Sequence, residues 1–163
     1  MKVAIANARL SFPDLFEAVQ YQGTGPFNYR CTLLVDGEDA ECTYKNTEGK
    51  TVKTTIKKAI EMVAKTKWAD KASKILQVAP TSKAGICFVD GNTKEYDGYA
   101  DKWALSATRP QDKGRPAIVD RDKQPLVAAD GKPYGGCYVN ASVEFWAQDN
   151  GHGKTIRCGL LGV

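Results

Sequence analysis

The sequence predicts a mainly β protein, a partly open antiparallel barrel carrying one helical insert at about residues 52–78. Three observations predict it. At least five short stretches alternate apolar and polar residues, the period of a half-buried strand. Gly, Pro and Asp punctuate the chain between them. Only one region, after an early strand, carries a helical period. The 163 residues suit one domain, expected to span 1–163, with enough length to bury its own core.

Val3 and Ile5 alternate with Ala4 and Ala6, so residues 2–9 read as a strand. SFPDLFEA reads as a Pro-containing turn ending in a short helical piece, and TGPFN as a second breaker. Residues 29–35 (YRCTLLV) form a strand closed by the turn signal Asp36-Gly37. In residues 52–67 Ile56, Ile60, Val63 and Ala64 fall on one helical face, with lysines mostly elsewhere. A second short helix covers 70–78 and stops before Pro80. GICFVDG is a short strand followed by a turn at Asp90-Gly91. In residues 98–108, Tyr99, Trp103, Leu105 and Ala107 share one face, and Lys102, Ser106 and Thr108 the other. A short strand is expected at 117–119, inside a Pro- and Gly-punctuated stretch, and ADGKPYGG is a loop. Residues 137–147 are the clearest strand: Val139, Ala141, Val143 and Phe145 face one way, Tyr138, Asn140, Ser142, Glu144 and Trp146 the other. After the turn QDNGHGK, a last strand runs from Thr155 to Leu161.

The net charge of +4 is unevenly spread. Residues 45–74 carry nine basic and three acidic groups, and residues 102–123 carry six and three. The first block is mostly the lysines of the helical insert, either a solvated face or an attractor of a polyanion. No stretch approaches the length of a membrane span. The start lacks the basic-then-apolar pattern of a secretory leader, so a host-cytoplasmic protein is expected. Five scattered cysteines without a C-x-x-C pair fit buried free thiols rather than disulfides or zinc.

Groups for catalysis are sparse, and no cofactor is expected. His152 is the only histidine and sits in a turn, so no histidine dyad can form. Asp120 and Asp122 could hold magnesium beside a phosphate, or serve a turn and pair with Arg121 or Arg115. No phosphate-binding glycine loop or nucleophile elbow is present. Binding has better candidates, because single-stranded nucleic acid is held by aromatic rings under bases and cations on phosphates. Residues 96–123 interleave the two: Tyr96, Tyr99 and Trp103 with Lys102, Arg109, Lys113, Arg115, Arg121 and Lys123. Tyr138 and Trp146 add rings on the polar face of the clearest strand, and either stack on bases or pack under the helical insert. Trp103, beside Leu105, is either core or a stacking platform.

Several segments occur together in order: NARLSFPDLFEA, YRCTLLV, YDGYADKWALSATRP, GRPAIVDRDKQPL and YGGCYVNASVEFWAQDNGHGK followed by LLGV. With them the chain resembles a family of bacteriophage single-stranded-DNA-binding proteins, formerly a domain of unknown function. The resemblance runs from Asn7 to the C-terminus and is weakest over 37–80. It implies an OB-fold-like five-stranded antiparallel barrel that coats single-stranded DNA without sequence specificity during replication or recombination. It also implies a place among phage replication or recombination proteins as partners; self-association is a further expectation, and the sparse catalytic groups lead us to expect no enzymatic activity. The matching segments contain Tyr99, Trp103, Arg109, Arg115, Arg121, Tyr138 and Trp146, which with Lys102 and Lys113 form the expected DNA-binding set. Many replication single-strand binders end in an acidic partner-recruiting tail; this sequence stops at Leu-Leu-Gly-Val, so either the protein lacks such a tail or the sequence ends before it. A protein-interaction or virion component, using its exposed aromatics as an interface, and a metal-dependent nuclease built on Asp120 and Asp122 are the competing readings.

Overall fold

A computed structural model describes residues 1–82, 85–151 and 153–163. Along the chain come β1 (Lys2–Tyr21), β2 (Thr24–Val35), β3 (Glu41–Lys45), β4 (Thr51–Thr55), α1 (Ile56–Trp68), α2 (Ala72–Val78), β5 (Phe88–Asp90), β6 (Trp103–Pro110), β7 (Tyr138–Asn150) and β8 (Gly153–Gly162). Strands pair in the order β2-β6-β8-β7-β1, and β1 pairs again with β2, so five strands close a barrel. The β3–β4 hairpin extends the sheet from the start of β1, and β5 pairs with β6.

The barrel is therefore closed rather than partly open, and not wholly antiparallel. A ring of five strands cannot alternate direction all the way round, so one neighbouring pair must run parallel. Here that pair is β6 and β8, which meet at Thr108 and Gly159. Inward side chains fill the interior: Leu33 of β2, Leu105 of β6, Val143 and Phe145 of β7, and Ile156 and Leu160 of β8 are fully buried.

β1 is longer than its sequence pattern predicts because two residues break the alternation. Asn7 takes a left-handed φ of 57°, and the β1–β7 register shifts between Ile5 and Ala8. This bulge moves the inward set from Val3 and Ile5 to Ala8 and Leu10. Phe12, with φ 47°, makes the second break. SFPDLFEA is thus bulged strand, not a turn and helix, and TGPFN begins β2 rather than interrupting it. A two-residue turn at Gln22 and Gly23, both at positive φ, joins the strands, as a twisted hairpin requires.

The helical insert starts later than its pattern predicts: residues 52–55 belong to β4. The Thr55 side chain accepts the Lys58 N–H and caps α1. Ile56, Ala59, Ile60, Ala64 and Trp68 form its buried stripe, packed against β7 and β8. Trp68 satisfies its indole by donating from Nε1 to Asp149 at 3.2 Å. No helix among the described residues is long and apolar enough to cross a membrane.

Two further expectations are corrected. Residues 98–102 turn rather than extend, with Asp101 at φ 59°, so β6 starts at Trp103. Residues 117–119 make only isolated bridges, Ala117 to Gly162 and Val119 to Pro125. The cysteines are free; Cys31, Cys42, Cys87 and Cys158 are buried, and Cys137 is half-buried.

Candidate nucleic-acid interface

Outside the barrel, β1, β2 and β6 present a continuous face. Ser11, Thr32 and Ser106 lie side by side across the three strands, as do Arg9, Leu34 and Ala104. A chain segment from Gly91 to Lys102 straps across this face. Gly91 N–H donates to the Lys102 carbonyl at 2.7 Å, closing the base of the strap. A side chain at Gly91 would run into the carbonyls of Tyr99 and Lys102, so only glycine fits there.

Beside the strap lies a groove of about 460 Å³. Thr32, Ser106 and Thr108 floor it with hydroxyls, Arg30 and Lys94 supply positive charge, and Phe12, Tyr21 and Tyr96 supply rings. Phe12 and Tyr96 meet edge to face at 4.8 Å, yet each is about half exposed, at 53% and 54%. Large rings held together but left in solvent mark a binding surface more than a core. Phe12 adds a second sign, because a left-handed conformation costs a non-glycine residue on the order of 1–2 kcal/mol. Strain of that kind at an exposed aromatic points to a role for the ring in the groove. The Arg30 Nε donates to Asp14 Oδ2 at 3.0 Å, which fixes the guanidinium at the groove's edge.

The residues singled out from sequence separate into groups. Tyr99 is buried, 3% exposed; it packs on Leu34 and Ala104 and its hydroxyl donates to Ser11 Oγ at 2.9 Å. It anchors the strap and leans against Tyr96 and Phe12, and lies on the face opposite Trp103. Trp103 is half-buried and packs against the buried Phe88, ring centroids 5.0 Å apart and planes tilted by 43°, a core position. Lys102 pairs with Asp36 at 2.6 Å. That hydrogen bond holds its pKa above the usual lysine value. Arg109 donates from Nε to the Gly114 carbonyl and from Nη2 to that of Lys113, both at 2.8 Å, so it pins the turn after β6. Lys113 and Arg121 are exposed. The Arg115 guanidinium lies 5.6 Å over the Phe16 ring, a cation–π contact away from the groove. Tyr138 and Trp146, 64% and 48% exposed, both project from β7 rather than packing under the insert. Eight residues apart on one strand, they stand about 26 Å from each other and cannot share one subsite.

Asp120 serves a turn. Its Oδ1 accepts the N–H groups of Asp122 and Gln124, at 2.8 and 2.9 Å. Neither Arg115 nor Arg121 makes an ion pair with it among the described residues. His152 lies outside the described residues. No group of three or more His, Cys, Asp or Glu among the described residues could hold a metal ion.

Comparison with known proteins places this geometry. The family described as Enterobacter phage Enc34, ssDNA-binding protein, matches residues 1–163. The chain belongs to this family. It is 41% identical over 164 residues to protein p50 of Acyrthosiphon pisum secondary endosymbiont phage 1, covering 100% of this chain and 82% of that protein. Among solved structures it is similar to the single-stranded DNA-binding protein from bacteriophage Enc34, with a TM-score of 0.67 and 26% identity over 99% of this chain and 78% of that one. The same protein in complex with ssDNA gives 0.63 and 21%, over 99% and 83%. The bacteriophage T7 single-stranded DNA-binding protein gives 0.56 at 10% identity, over 99% and 84%, and so shares the fold.

Of the residues lining the groove, sequence reasoning does not single out Phe12, Tyr21, Arg30 or Lys94, and it leaves Tyr96 out of the expected DNA-binding set. Phe12 looked like part of a turn, and Arg30 like one residue of a core strand. The signal that could have found Arg30 is its parity: it alternates with the inward Cys31 and Leu33 and so faces out with Thr32.

Proposed function

We propose that this protein binds single-stranded DNA without sequence specificity along the outer face of β1, β2 and β6. The groove there carries the reading: two exposed, mutually braced rings beside a fixed arginine and a hydroxyl floor. Every base offers a π-face to Phe12 and Tyr96, and every link offers a phosphate to Arg30 and Lys94. The five-stranded barrel supports this, because OB-type folds bind oligonucleotides on this strand face. The Enc34 relative, solved with ssDNA, supports it independently. Tyr138, Trp146, Lys113, Arg115 and Arg121 are proposed as outlying contacts, and Tyr99, Lys102, Trp103 and Arg109 as residues that hold the surface in shape. We place the protein in the host cytoplasm, coating strands exposed in phage DNA replication or recombination and meeting the proteins of those processes there.

Fluorescence anisotropy of a labelled oligo-dT tests this. The affinity should fall linearly with salt on logarithmic axes, by about 0.7 of a power per phosphate neutralised. Duplex DNA should compete poorly. Absence of binding at low salt would refute the proposal.

A further inference from the structure

Arg9 lies on the outer face of β1, three residues before Phe12 and opposite Leu34 of β2. Its guanidinium sits between two glycine backbones. A Cβ on Gly98, in the strap, would lie 3.1 Å from Nη1. One on Gly136, before β7, would lie 3.6 Å from Nη2. Both glycines hold positive φ, 85° and 97°, which side-chain-bearing residues rarely adopt. Arg9 Nε donates to the Gly136 carbonyl at 3.3 Å. The side chain is thus held by backbone rather than by a carboxylate, and Arg9 makes no ion pair among the described residues.

The nearby Lys102 is taken by Asp36, and Arg9 acts on that lysine as a repelling cation. Tyr138, the cross-strand partner of Arg9 on β7, stands beside it with its ring in solvent. A fixed guanidinium with free donors, next to an exposed ring, repeats the chemistry of the groove. The spacing suits one continuous strand: Arg9 and Arg30 lie one strand across and four residues along, about 14 Å apart, with the Phe12–Tyr96 pair between them.

We propose that Arg9, seated between Gly98 and Gly136, and the Tyr138 ring form a second nucleotide subsite that takes a phosphate and a base of the strand held in the groove. This rests on the single-stranded-DNA reading. The strand then runs beside β1 from Arg30, across Phe12 and Tyr96, to Arg9 and Tyr138.

The test compares oligo-dT of about two nucleotides, whose single phosphate can meet only one of the two arginines, with one of about twelve, which spans both subsites. Arg9→Gln should weaken the longer oligomer roughly tenfold, leave the shorter within about twofold, and reduce the salt exponent by about 0.7. Arg9→Lys keeps the charge but cannot fill the notch, and should lose most of the same affinity. Gly98→Ala, with Arg9 intact, should reproduce part of the loss. Equal losses on both lengths, or no loss on either, would overturn the subsite. Failure of the unaltered protein to bind either oligomer would instead remove the reading on which it rests.

Discussion

Tyr96→Ala separates binding from folding more cleanly than any other change in the groove. The ring is 54% exposed and touches Phe12 at 4.8 Å and Tyr99 at 5.2 Å. Full burial of a large apolar side chain stabilises by roughly 1.5–3 kcal/mol, so a ring about half covered contributes on the order of 1 kcal/mol to the fold. For a domain of this size that is a loss of about 2–4 °C in Tm. Stacking on a base contributes about 1–3 kcal/mol, which is about five- to 150-fold in Kd. Binding should therefore suffer far more than stability. Tyr99→Phe makes the contrast: it removes the bond to Ser11 and should cost about 1 kcal/mol of stability, with little change in affinity. Anisotropy with oligo-dT and thermal unfolding on the same samples read both quantities. If Tyr96→Ala leaves Kd within twofold of the parent, the ring does not stack. If Tyr99→Phe loses as much affinity as Tyr96→Ala, the assignment of anchor and platform is wrong.

Further outcomes follow from other contacts. Asp14→Asn removes a negative charge behind Arg30 and should tighten oligo-dT binding by a few-fold at low salt; an unchanged Kd would place the phosphate elsewhere. Trp103→Ala opens a void against Phe88 and should destabilise by roughly 2–3 kcal/mol in urea unfolding, while the folded protein keeps its affinity. Burial pushes Cys31 and Cys87 up to about 12 and Cys42 to about 11, so a thiol reagent near neutral pH should label the half-buried Cys137 first. These groups have folded pKa values above the unfolded one, so the native state holds more protons above pH 9.0. Stability should then fall by about 1.4 kcal/mol per pH unit for each such thiol until the folded values are reached, a slope readable from urea midpoints and reduced in Cys87→Ala.

What could be read from the sequence follows from where burial imposes a period. β7 was legible because Ala141, Val143 and Phe145 face the core while Tyr138 and Trp146 face water, so alternation survives along the strand. The helical insert was legible for the same reason, with Ile60 and Ala64 buried opposite exposed lysines. β3 and β4 were not, because a short hairpin at the sheet's edge buries little and keeps no clear pattern. β1 failed differently: two residues at positive φ shift its parity, so an intact strand reads as a turn.

The site was harder to read because it follows register rather than sequence. An interleaved run of rings and cations, such as residues 96–123, brings only part of its members to one surface, since alternate residues go to opposite faces and turns redirect the rest. Trp103 goes to the core, Arg115 to Phe16, and of the run's two rings that line the groove Tyr99 is buried while Tyr96 is exposed. The partners of Tyr96 come from elsewhere: Phe12 from a bulge in β1 and Arg30 from β2, held by Asp14 across the hairpin. Arg9 depends on two glycines 38 residues apart that meet only when the strap and β7 are both in place. Such a site needs the barrel's closure before any of its groups are neighbours. A substitution that disturbs the register of β1 against β2 should therefore impair both arginines together, whereas the core composition would hardly register the change.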